Sequence, residues 1–205
     1  YLTDIPEFEI WRWEHHFPKY LISARDYKTG AIYLAYTQEK SSMATALFVD
    51  YLLSSLQYYG IDPQSIVIQT DNGKEFTNPT DRKVTLFEKL VKEKYQATHF
   101  LIPYRRPTWN SDVESFHNLI EEEFFLSEKP NSEIDLLAKT FAYQIWFNSF
   151  RNNRGRNNQN PEQIFQSELN TKKPLPNIPP ILVDKYIQLI AKDNEVGYFL
   201  PLPPS

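Results

Sequence analysis

The chain has no cysteine. Disulfides and thiolate metal sites are thereby excluded, a bound metal must take oxygen or imidazole ligands, and the composition suits a reducing compartment. Also missing are an apolar run long enough to cross a bilayer and a charged start followed by an apolar stretch, so a soluble, unexported chain is expected. There is no initiating Met. The strand-like Tyr1-Leu2-Thr3-Asp4-Ile5 opens the sequence, which raises the expectation that further sequence lies upstream. An excess of positive charge is lacking too. At a net charge of −4 and a pI near 5.6, the chain does not coat nucleic acid by bulk charge. Its cations cluster locally instead: Arg151, Arg154, Arg156, Lys172 and Lys173 face only Glu162 and Glu168 over residues 151–173. No internal repeat is visible.

Rings are abundant. With 14 Phe, 13 Tyr and 4 Trp among 205 residues, aromatic side chains are expected to carry much of the core of one domain with a tail. Residues 1–10 read as a first strand that Pro6 cuts short or confines to an edge. Two β-rich runs, 19–27 and 31–37, flank Lys28-Thr29-Gly30 and predict an antiparallel hairpin. Apolar residues at helical spacing from Met43 to Leu56, closed by Gly60, predict a helix over 42–59. The β-branched run Ser65–Thr70 reads as a buried strand ending at Asp71-Asn72-Gly73. Helices over 81–94, 111–126 and 132–152 and a strand over 97–102 follow. The order implies an α/β domain with a mixed sheet of about five strands. Prolines crowd residues 173–180 and 200–205, so 171–205 reads as a Pro-rich linker carrying one short helical segment at 181–192.

Three acids stand where a mixed sheet can gather them: Asp4 on the first strand, Asp71 at the end of the fourth, and Glu114 in the first turn of a helix. Carboxylates are hard ligands suited to magnesium or manganese. Two such ions about 3.5–4 Å apart stabilise both the attacking and the leaving oxygen of an in-line phosphoryl displacement. Each acid also has a structural explanation. Asp4 suits an exposed strand end, Asp71-Asn72-Gly73 is a turn sequence in its own right, and Ser111-Asp112-Val113-Glu114 fits a capping box. Glu7, Glu9, Asp26 and Asp112 compete as alternative acids.

The words around the acids carry a resemblance. Thr3-Asp4-Ile5, Thr70-Asp71-Asn72-Gly73-Lys74-Glu75-Phe76, and the segment from Pro107 to His117 resemble, in order, the first, second and third acidic motifs of the DDE-type integrase catalytic core family. That family includes retroviral integrases and many bacterial insertion-sequence transposases, and the bacterial branch is the more similar. Phe147-Asn148 with Arg151, then Asn160-Pro161-Glu162, looks like a further bacterial transposase pattern. The resemblance runs from residue 3 to about 165 and is most specific at the second motif.

It implies a ribonuclease H-like fold over 1–170, with an upstream DNA-binding domain. It also implies metal-dependent DNA cleavage and strand transfer by Asp4, Asp71 and Glu114 holding magnesium or manganese, as two ions. Water would be the nucleophile for hydrolysis and a DNA 3′-hydroxyl for transfer, with no covalent enzyme intermediate. Transposon ends and target DNA would be the partners, a homo-oligomer the working form, and the bacterial cytoplasm and nucleoid the location. Lys74, Arg105, Arg106, Asn110, His117, Arg151 and Arg154 are the candidate DNA contacts, although Arg151 could equally pair with an acid of its own domain. His15-His16 is rejected as a metal site because neighbours on an extended segment point apart. There are departures. Forty-two residues separate Asp71 from Glu114, Ser111 and Ser115 replace a Gly and an Arg frequent in the family, and Glu121-Glu122-Glu123 stands where relatives carry a basic residue. Two other readings stay open: a non-catalytic DNA- or protein-interaction module of the same fold, and a purely hydrolytic nuclease.

Overall fold

The computed structural model describes residues 2, 12, 14–73, 76–77, 84–103, 111–186 and 188. The first strand read at residues 1–10 lies outside them apart from Leu2, as does the segment beyond 188.

A hairpin forms the centre. β1 (Tyr20–Arg25) pairs antiparallel with β2 (Ile32–Thr37), Tyr20 opposite Thr37 and Arg25 opposite Ile32. Asp26 shapes the turn: its carboxylate accepts from the Thr29 backbone N–H at 2.8 Å and from the Thr29 hydroxyl. Gly30 follows at φ +80°, where a Cβ would lie 2.8 Å from Arg156 Nε, so this position needs both glycine's backbone freedom and its missing side chain.

β2 is buried on both faces, and its alternation separates two cores. Ala31, Tyr33 and Ala35 join a cluster with α1 (Ser42–Tyr58) and Phe87 and Val91 of the next helical run. Ile32, Leu34 and Tyr36 join a second cluster with Phe116, Ile120, Phe124, Leu136 and Phe147. Helices therefore cover the hairpin sheet on both sides.

Local chemistry sets the ends of α1. Ser41 Oγ accepts from Ala44 N at 3.1 Å at its start. At its end Gly60 N reaches Gln57 O and Ile61 N reaches Leu56 O, the paired bonds of a Schellman close around Gly60 at φ +85°. β3 (Val67–Thr70) then runs parallel to β4 (Thr98–Leu101) with Thr70 opposite Leu101. Between them lie α2 (Leu86–Lys89) and a π-helical turn (Leu90–Lys94). Thr85 and Glu88 form a reciprocal capping box, which starts this helix later than residue 81.

β3 alternates rather than being wholly buried. Val67 and Gln69 face solvent while Ile68 packs on the first core, because helical cover reaches only one of its faces among the described residues.

α3 (Ser111–Ile120) passes into a π-helical turn (Glu121–Phe125), and α4 (Glu133–Ser149) follows. A 3-10 turn (Arg154–Arg156) leads to α5 (Pro161–Glu168). Asn160 caps α5 in a capping box with Gln163, and Pro161 occupies the first turn.

The proline-crowded segment, expected as a linker, packs down. Leu175, Ile178, Leu182 and Val183 are buried, and Ile181–Leu182 form β5, parallel to β2, where a helical segment was expected to begin. The molecule is thus mixed α/β, with a β1–β2–β5 sheet and a β3–β4 sheet among the described residues.

Along β2 the peptide groups of residues 32, 34 and 36 turn towards β5, which is only two residues long. α4 completes the edge. Asn148 Oδ1 accepts from Ile32 N at 2.9 Å and its Nδ2 donates to Ile32 O at 3.0 Å, while Gln144 Oε1 accepts from Leu34 N at 3.1 Å and its Nε2 donates to Ile178 O at 2.7 Å. Thr140, one turn earlier, meets the Tyr36 hydroxyl at 2.6 Å. All three α4 side chains are fully buried.

No described helix is long and apolar enough to cross a membrane.

Candidate functional site

Asp71 follows β3 directly and is exposed. Its neighbours hold it there. Thr70 Oγ1 donates to Asp71 O at 3.0 Å and lies 2.9 Å from His99 Nε2. A hydroxyl has one proton, so the ring N–H must be the donor in the second bond, which assigns the His99 proton to Nε2. Asn72 Nδ2 ties across to Ile102 O at 2.7 Å, joining the ends of β3 and β4. Gly73 N donates to Asp71 Oδ1 at 2.9 Å, and Phe76 packs edge-on to Phe87, ring centroids 5.3 Å apart. Asp71 Oδ2 is left without a hydrogen bond among the described residues. Lys74 and Glu75 lie outside them.

Glu114 is exposed on α3 and takes part in no hydrogen bond or ion pair among the described residues. Ser111 is the first helical residue of α3, and Ser115 Oγ donates to Ser111 O at 2.7 Å. One turn on, His117 Nε2 meets Ser23 Oγ of β1 at 2.8 Å. Much of the His117 surface touches solvent, yet the protein around the ring holds its pKa below the ordinary value, outweighing the Glu114 carboxylate, which acts the other way.

The competing acids are committed. Asp26 shapes the hairpin turn, and Asp112 pairs with Arg25 Nε at 2.9 Å and Arg156 Nη2 at 3.4 Å. Glu123, from the acidic run, clamps Arg151 through Nε at 3.0 Å and Nη2 at 2.7 Å and accepts from the Tyr143 hydroxyl at 3.0 Å. Burial, reinforced by that carboxylate, pushes the Tyr143 pKa well up. Arg151 therefore has the intramolecular partner that was its alternative reading. Arg154 is exposed and has no partner among the described residues.

Asp4, Glu7, Glu9, Arg105, Arg106 and Asn110 lie outside the described residues. Among those described, no three His, Asp or Glu side chains are grouped to hold a metal ion. Glu114 and His117 share one helical face one turn apart on α3, and Asp71 lies at the end of β3.

The pattern beyond the acids proves architectural. Phe147 is core, Asn148 completes the sheet edge, Arg151 pairs with Glu123, and Asn160 caps α5 while donating to Ser149 O at 2.8 Å. Sequence reasoning missed His99. Its relation to Asp71 depends on the β3–β4 register, which spacing along the chain does not reveal. No family model matches the chain, and no curated protein matches it.

Proposed function

We propose that the chain is the catalytic core of a metal-dependent DNA strand-cleavage and strand-transfer enzyme of the DDE transposase and integrase type. The observation that carries this reading is selective. Of the candidate acids for the site that the structure describes, Asp26 and Asp112 are bound to a turn or to arginines, whereas Asp71 and Glu114 present carboxylate oxygen to solvent. A carboxylate with no cation paired to it among the described residues is the kind of group that a metal ligand requires.

The donor set fits magnesium or manganese, with Asp71, Glu114 and Asp4 as the residues that would hold it. Bound there, the metal supplies charge for an in-line displacement at phosphorus. The chain's own part is orientation. The Thr70–His99 pair fixes the Asp71 backbone, the Gly73 N–H holds one carboxylate oxygen, and Ser23 sets His117 beside Glu114.

The finer fold reading, ribonuclease H-like with a mixed five-stranded sheet, needs the first strand to join the hairpin to β3. Leu2 N donates to Lys19 O at 3.2 Å, which supports a start beside β1. DNA ends and target as partners, a homo-oligomer and a bacterial cytoplasmic setting belong to the same proposal.

The test is nicking of duplex DNA in magnesium or manganese, followed by joining of the cut end to a second duplex. Asp71→Asn and Glu114→Gln are each expected to lower the rate by at least about 100-fold, an effect of about 3 kcal/mol on the barrier. Full activity in Asp71→Asn would remove that residue from the site, nicking without joining favours the hydrolytic nuclease, and DNA binding without either favours the interaction module.

A further inference from the structure

A cavity of about 590 Å³ opens between α3, the end of α4 and the loop that follows. Arg25, Ser115, Arg151, Asn153 and Arg154 line it, together with Asp112. Counting the two further partners at its rim, Arg156 on Asp112 and Glu123 on Arg151, four cations face two anions. In a chain whose net charge is −4, that is a local reversal of sign.

Two donors there are incompletely used. The Arg25 side chain is only 6% exposed, and its Nε makes no hydrogen bond although an Asp112 oxygen lies 2.9 Å away, because the N–H is poorly aligned with it. Arg154 has no partner among the described residues. Burial, with weaker contributions from Arg156 and Arg151, lowers the Arg25 pKa against the opposing pull of Asp112, so an anion in the cavity would relieve its environment.

We propose that this cavity binds a phosphate-type oxyanion, with Arg154 as the exposed clamp and Arg25 as the buried charge behind it. A guanidinium pair suits phosphate because its planar forks match the tetrahedral oxygens. The proposal rests on the strand-transfer reading only for the source of the phosphate, a DNA backbone; free phosphate is the other source.

The experiment uses the full chain in a chelator, so that no cleavage occurs. Inorganic phosphate is titrated and followed by tryptophan fluorescence, since Trp146 lies with its ring centroid 6.0 Å from the Arg151 guanidinium. A labelled duplex of arbitrary sequence is titrated at several salt concentrations and followed by anisotropy. Arg154→Ala is compared with wild type, and Arg154→Glu with Lys89→Glu, which makes the same charge change on an exposed face of α2.

For wild type we expect saturable phosphate binding that Arg154→Glu weakens about tenfold and Lys89→Glu leaves within about twofold. The salt slope of duplex binding should fall by about 1 in Arg154→Ala. Phosphate binding that depends on Arg154, with no duplex binding, supports the cavity with free phosphate as its ligand and counts against the strand-transfer reading. Phosphate and duplex binding indifferent to Arg154 overturns the cavity proposal, and metal-dependent nicking then still stands as the separate test of the enzyme.

Discussion

Asn148 bonds both backbone groups of Ile32 from a fully buried position, so its loss has a calculable consequence. Asn148→Leu strands one N–H and one C=O away from water and should destabilise the fold by about 2–4 kcal/mol. In urea this is read as a lower unfolding midpoint at unchanged slope. His99 is the second informative residue. Its Nε2–H fixes Thr70, and Thr70 fixes the backbone of Asp71. Under the proposed strand-cleavage reading, His99→Gln, which retains a donor amide, should keep more nicking activity than His99→Phe, and the difference should appear in the metal concentration needed for half-maximal rate. Equal metal dependence in both variants would deny His99 a positioning role. Burial also lowers the pKa of His99 and of His117 below 6.5. Protons are then taken up by the unfolded chain before the folded one as pH falls, so this part of the stability is complete above about pH 6.5 and is lost on acidification below it. The thermal midpoint should drop between pH 7 and pH 5.5, less steeply in His99→Gln.

At the level of elements, α4 acts as both a helix and a substitute strand. Thr140, Gln144 and Asn148 recur every four residues, so they form one stripe that meets β2 where β5 is too short to pair with it. The end of α4 is fastened to the turn after α3 by Arg151 and Glu123, whose side chains are 21% and 26% exposed. A bidentate, partly desolvated pair of this kind has more effect than a surface ion pair. Glu123→Ala should lower stability by about 1.5–3 kcal/mol in chemical denaturation, and Arg151→Lys should also lose stability because an ammonium cannot form the two-pronged contact. The acidic run that looked unfavourable for DNA thus contains one residue with an architectural task.

For the molecule as a whole, the segment 173–183 belongs to the fold. Leu175, Ile178, Leu182 and Val183 are buried, and Tyr51 and Tyr59 donate to Pro179 O and Asn177 O at 2.9 Å and 3.1 Å. Burying four such side chains contributes about 6–12 kcal/mol as an upper bound, comparable to the entire stability of a typical domain. A chain ended at Lys172 should therefore lose its cooperative unfolding transition, read by near-ultraviolet circular dichroism on heating. A sharp transition like that of the full chain would show that the tail is dispensable.

Local features were legible in the sequence where their cause is local. Alternation around Lys28-Thr29-Gly30 specifies the β1–β2 hairpin, helical spacing closed by Gly60 specifies α1, and the turn chemistry of Asp71-Asn72-Gly73 ends β3. Such signals arise from a residue's own backbone preferences and its nearest neighbours. Tertiary structure alone decided which acids stay uncommitted, because Asp112 and Glu123 find their arginines 87 and 28 residues away. It also turned proline-rich chain into core by offering β2 an edge that β5 and the α4 amides complete. Partners so distant in sequence are chosen by packing, since a buried polar group must be satisfied by whatever the fold brings beside it.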